Sequence, residues 1–104
     1  MATAYVVLGQ STPGATTTTT LVTGSTNGSI VSSFNACNKG GTNDTIQVSI
    51  TKSGGSAYYI FYNFTLAAGA SLQETPGWTL ATGDTLKVYS TTGNTDYTAT
   101  GVTL

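Results

Sequence analysis

The chain carries no histidine and no arginine, a single cysteine and only seven charged side chains among 104 residues, three Lys and four Asp or Glu. Each shortage closes a class of explanation. General acid–base and nucleophilic catalysis need a group whose pKa can be set near working pH. The candidates here (Lys39, Lys52, Lys87, Asp44, Asp84, Asp96 and Glu74) stand singly along the sequence. The reading is therefore of a protein that is not an enzyme, and no two of these groups are expected to meet in a pocket. A net charge of -1 offers no electrostatic route to nucleic acid, which needs clustered Lys or Arg, or to an anionic membrane surface. One cysteine excludes an intrachain disulfide. No apolar run approaches the roughly 18 residues of a membrane helix, and Met1-Ala2-Thr3-Ala4-Tyr5 shows neither the basic nor the apolar region of a signal peptide. The expectation is synthesis in a reducing cytoplasm.

What is abundant is Thr, Gly and Ser: 23, 13 and 10 residues, nearly half of the chain. Short β-favouring runs alternate with turn residues, the pattern of a single sandwich or small barrel covering residues 1–104. Strands are expected near Tyr5–Gly9, Thr16–Thr23, Ser29–Asn38, Thr45–Thr51, Tyr58–Leu66, Ser71–Glu74, Trp78–Leu80, Thr85–Ser90 and Tyr97–Leu104. That makes eight strands, give or take one. Thr45-Ile46-Gln47-Val48-Ser49-Ile50-Thr51 alternates strictly, which puts Ile46, Val48 and Ile50 on a core face. Leu86 and Val88 face inward for the same reason. Ser53-Gly54-Gly55-Ser56 reads as a hairpin turn, because paired glycines accept positive φ.

The Tyr58–Leu66 strand stands apart. Strict alternation puts Tyr58, Ile60, Tyr62 and Phe64 on one face and Tyr59, Phe61, Asn63 and Thr65 on the other. A half-buried strand should be polar on its outer face, yet Tyr59 and Phe61 fall there. Either the chain covers them itself, with the Tyr5–Gly9 segment as the candidate, or they lie in a contact between subunits, where aromatic residues are enriched. The uncharged leading residues Met1, Ala2, Thr3 and Ala4 are a second interface candidate, as an arm laid along a neighbour, against the plain alternative of a frayed end.

Other features take simpler readings. Thr16–Thr20 is an edge strand; an ice-binding array would need its hydroxyl alternation on several neighbouring strands. Asp44, Asp84 and Asp96 sit beside turns, where aspartate caps backbone groups, and their spacing does not build a metal site. Cys37 is a small buried hydrophobe. Trp78 is a core or interface anchor, with sugar stacking the lesser alternative. Three Asn-X-Ser/Thr matches, beginning at Asn27, Asn43 and Asn63, are chance in a Thr-rich chain. No cofactor is implied.

Three stretches carry a resemblance: Val7-Leu8-Gly9-Gln10-Ser11-Thr12-Pro13, Ile30-Val31-Ser32-Ser33-Phe34-Asn35-Ala36-Cys37-Asn38-Lys39-Gly40-Gly41, and Leu80-Ala81-Thr82-Gly83-Asp84-Thr85-Leu86-Lys87-Val88-Tyr89-Ser90. In that order they resemble a group of small virion proteins of tailed phages, particularly those of aquatic bacteria and cyanobacteria. The chain departs from that pattern at Leu21-Val22-Thr23-Gly24, where such proteins carry an apolar run containing tyrosine and proline. The resemblance implies an antiparallel β-sandwich with jelly-roll or Greek-key connections. It implies a structural role on the capsid surface of the virion, as a decoration (cement) protein bound to the major capsid protein and to copies of itself as a dimer or trimer. A tail, baseplate or fibre module, with host glycan as a ligand and Trp78 or Tyr89 as its platform, is the alternative.

Overall fold

The computed structural model describes residues 4–104, and the side chains from residue 5 onward. Nine strands and no helix are found among them: β1 (Ala4–Ser11), β2 (Thr17–Thr23), β3 (Ser29–Asn38), β4 (Asp44–Thr51), β5 (Ala57–Leu66), β6 (Ser71–Glu74), β7 (Trp78–Leu80), β8 (Thr85–Ser90) and β9 (Thr95–Thr103). One sheet has the order β1-β9-β3-β6, with β7 also paired to β3, and the other the order β2-β8-β4-β5. Every pairing between these strands is antiparallel. The Pro76-Gly77 turn separates β6 from β7, and both lie along β3, against Phe34–Cys37 and Ser29–Val31 respectively. Together they act as one interrupted strand, which reduces the nine to the expected eight.

Four antiparallel pairs then nest: β4 with β5, β3 with β6 and β7, β2 with β8, and β1 with β9. That is one long hairpin with its tip at residues 52–56, wrapped so that consecutive pairs alternate between sheets. The result is the double Greek key of a jelly roll.

The core lies between the sheets and is filled mainly by aliphatic residues, including Val31, Ile46, Val48, Leu80, Leu86 and Val88, with Phe34 and Tyr97 as its two fully buried rings. Trp78 packs on Phe34 at 5.4 Å between ring centroids, so it serves as a core anchor. Cys37 is half-buried rather than buried; it lies opposite Asp96 on β9 and Ser71 on β6.

The two flanks of the sandwich differ. On one, β1 crosses close to β2. A bulge at Leu8 turns that side chain toward the core, and the Leu21 carbonyl comes so near Gly9 that a Cβ there would overlap it. Only glycine permits this approach of two backbones. On the other flank lies β5, the free edge of its sheet. β2 is the opposite edge of that sheet, as the threonine run implies.

Candidate functional site

Two bulges shape β5. Its register against β4 slips once between the pairs Ile46–Phe64 and Val48–Phe61, and again between Val48–Phe61 and Ser49–Tyr59. Asn63, at φ 51°, takes the left-handed turn of the first, a conformation that asparagine tolerates better than most residues. Residues directly opposite in an antiparallel pair share a face. Tyr58, Phe61, Phe64 and Leu66 therefore lie on the core side, opposite Ile50, Val48, Ile46 and Asp44. Tyr59 and Tyr62 lie on the outer side.

This corrects the strict alternation expected from sequence. Phe61 is not on the outer face with Tyr59 but half-buried against the core, and Tyr62 is not on the core side. Ring contacts follow the new assignment: Tyr59 meets Tyr62 at 4.8 Å, edge to face, and Phe61 meets Phe64 at 5.4 Å. Nor does the Tyr5–Gly9 segment cover this strand, since it belongs to β1 and pairs with β9. Of the leading candidates, Ala4 opens β1 opposite Thr103, while Met1, Ala2 and Thr3 lie outside the described residues.

The strand is open on both faces. Tyr58, Tyr59 and Tyr62 are 75%, 51% and 63% exposed, and Ile60 and Phe64 are exposed as well. Residues 57–66 contain no charged side chain. Elsewhere Tyr5, Val6 and Val7 on β1 are also exposed, with one ring against four.

On the outer face of the same sheet, cross-strand partners place Thr18, Tyr89 and Gln47 in one row, and Thr20, Lys87, Ser49 and Tyr59 in the next. Gln47 Nε2 donates to Asn63 Oδ1 at 2.8 Å. A shallow groove runs among Thr18, Gln47, Tyr59, Lys87 and Tyr89.

The charged residues are less isolated than the sequence implies. A cleft of about 430 Å³ is lined by Gln10, Ser11, Thr12, Lys39, Asp96, Tyr97 and Thr98. Lys39 Nζ stands 3.1 Å from Asp96 Oδ1 within it. The expectation that no two charged groups share a pocket is thus overturned, because wrapping brings the end of β1, the turn after β3 and the start of β9 to one end of the sandwich. The Thr12 hydroxyl and then Lys39 hold the Asp96 carboxyl below its usual range, with desolvation opposing them. A carboxylate held this way is a weak proton acceptor.

The other aspartates tie turns together. Asp44 is fully buried and accepts from the Ser90 and Thr95 hydroxyls and from the Thr91 and Thr92 amides at 3.0 and 3.1 Å. Burial works against its charged form, but the Ser90 and Thr95 hydroxyls and Thr92 together outweigh it and lower its pKa. Asp84 accepts from the amides of Ser53 and Ala81, both at 3.0 Å, and lies 3.4 Å from Lys52 Nζ. The Ser53 amide is the main cause of its lowered pKa; burial opposes, and Ala81 and Lys52 add to the lowering. Tyr97, whose hydroxyl donates to the Tyr89 carbonyl at 2.8 Å, is pushed up by burial and by the Asp44 charge. Among the described residues no group of three or more Cys, Asp or Glu gathers as a metal site would require. Nor is any helix among the described residues long and apolar enough to cross a membrane.

No protein-family model matches the chain, and neither a curated protein sequence nor a solved structure matches it.

Proposed function

We propose that this protein is a non-catalytic structural component of a phage particle, a decoration protein that binds the outer capsid surface across joints between major capsid subunits. The observation that carries the reading is β5, an uncharged edge strand that leaves four aromatic rings in solvent, against one on β1. Exposed apolar patches of this kind mark association surfaces, and a low net charge puts little repulsion between copies or against a shell. The three stretches that resemble virion proteins supply the identity of the partner. Fold alone does not, since jelly rolls serve many functions. Many copies on one shell turn a modest affinity per copy into substantial reinforcement.

The test is cryo-EM of the intact particle together with co-sedimentation of purified protein with capsids that lack it. The expected result is density repeated over the icosahedral shell and saturable co-sedimentation. Density confined to the tail vertex, or no binding to capsids, would sink the proposal.

One observation favours the tail or fibre reading with host glycan as ligand. The outer-face groove sets Tyr59 and Tyr89 beside Gln47 and Lys87, and an aromatic face with amide donors suits a neutral sugar. Trp78, the other platform named from sequence, is engaged in the core. Affinity for free polysaccharide without affinity for capsids would select this second reading.

A further inference from the structure

We propose that β5 is the contact between two copies of this chain, laid antiparallel across a two-fold axis beside Phe61. The inference rests on the reading of β5 as an assembly surface and names the occupant of that surface.

Area is the first argument. A fully exposed aromatic side chain offers on the order of 200 Å². Scaled by the exposures of Tyr58, Tyr59, Tyr62, Phe64 and Ile60, β5 leaves about 500 Å² of largely apolar side-chain surface per copy. Brought edge to edge so that the rings of both faces are covered, two such strips reach about 1,000 Å², the size at which specific interfaces begin.

Self-complementarity is the second. The core-side residues Tyr58, Phe61 and Phe64 are evenly spaced. A two-fold axis beside Phe61 sets Tyr58 against Phe64 of the second copy, Phe61 against its own counterpart, and Phe64 against Tyr58. An isologous contact demands this kind of symmetry, since each patch must complement itself. No like charges meet, because residues 57–66 contain none.

Continuity with the core is the third. Phe61 and Ile50 are only half-buried yet pack against the main cluster, so the flank is a core left open along one side. A second copy closes it. The bulges fit the same picture. A long, flat, uncharged edge strand invites open-ended pairing, and bulges are one of the ways proteins prevent it. Here they break the ladder that β5 would offer at its free edge, so side chains rather than a continuous sheet hold the two copies and the assembly stops at two.

The test is sedimentation velocity of the purified full chain across a dilution series, with circular dichroism to confirm that each variant is folded. The expected species has twice the 10.6 kDa of one chain at about 100 μM, with tenfold or greater weakening in Tyr58→Lys and in Tyr62→Glu, as for residues central to an interface. Tyr5→Glu, on β1, should leave association unchanged. Mixing Tyr58→Lys with Phe64→Glu should restore association, since the axis sets those two positions against each other. A monomer throughout, a mass of three copies, a dimer indifferent to both β5 variants, or one broken by Tyr5→Glu overturns the proposal. Capsid co-sedimentation is scored separately. A monomer that decorates capsids sinks only the dimer, and a dimer that ignores them sinks only the decoration reading.

Discussion

Asp44 is the side chain whose removal the fold should feel most. Its carboxylate is buried at the start of β4 and collects four donors from residues 90–95, where β8 ends and β9 begins: two hydroxyls and two backbone amides. In Asp44→Ala all four lose this acceptor at once. A hydrogen bond to a charged group contributes about 1.5–3 kcal/mol, and a buried donor left without an acceptor costs about 1–3 kcal/mol. The hydroxyls can rotate toward other acceptors and water can reach the Thr91 and Thr92 amides, so the four losses do not add in full. The expected destabilisation is roughly 4 kcal/mol, a large share of the 5–15 kcal/mol typical of a domain. At roughly 4–8 °C per kcal/mol for a chain of this size, Tm should fall by about 20 °C.

Asp44→Asn separates charge from shape. Its carbonyl oxygen can face the two amides while its NH₂ donates to Ser90 and Thr95, whose hydroxyls reverse their roles. What is lost is mainly charge assistance, so the cost should be about 1–3 kcal/mol. Urea denaturation of the wild type and both variants measures the series. An Asp44→Ala variant within about 1 kcal/mol of wild type would show that the joint between the two turns is held by something other than this carboxylate.

Two further outcomes follow from the same geometry. Gly9→Ala should lose roughly 2–3 kcal/mol in urea denaturation, because its Cβ would overlap the Leu21 carbonyl and force β1 and β2 apart; an unchanged midpoint would contradict the closed flank. Acid should unfold the protein while mild alkali should not: Asp44, Asp84 and Asp96 all have folded pKa values below their unfolded ones. Protons therefore bind the unfolded chain more readily, so the stability these groups contribute is complete above about pH 4 and is lost as pH falls through the folded values. With no histidine, thermal scans should give a flat Tm from about pH 5 to 8 and a fall beginning below about pH 4, shallower in Asp44→Asn.

Much of this architecture was legible in the chain because Thr-rich strands and Gly-containing turns punctuate it locally. The Ile46, Val48 and Ile50 alternation found its face, although Ile50 is only half-buried beside the open flank. Strand order was not legible, since the wrapped hairpin pairs β1 with β9 across nearly the whole sequence. The faces of β5 were misread for a local reason: two bulges each add a residue without changing the pattern of letters. The aspartates show the same limit. Turn chemistry predicts that Asp44 caps something nearby, but the groups it holds come from the β8–β9 turn, and Lys39 meets Asp96 only through the long-range pairing of β3 with β9.

The placement of the aromatic residues gives the strongest reason to think that folding is not the last step. Of ten rings, only Phe34 and Tyr97 are fully buried, while Tyr5, Tyr58, Tyr59, Tyr62 and Phe64 are exposed. A small domain short of core would gain most by turning such residues inward, at about 25 cal/mol for each Å² removed from water. This one closes its core with valine, leucine and isoleucine instead and leaves four rings along one edge. If those rings serve association, the isolated fold should hardly need them. A triple variant, Tyr58, Tyr59 and Tyr62 each→Ser, should lose about 1 kcal/mol or less, mostly the Tyr59–Tyr62 ring contact, when compared with wild type at dilutions where both are monomers. At higher concentration the wild type should gain in Tm as copies associate, and the variant should not. A triple variant that unfolds at high dilution would make the rings part of the fold and remove the main reason for reading β5 as an assembly surface.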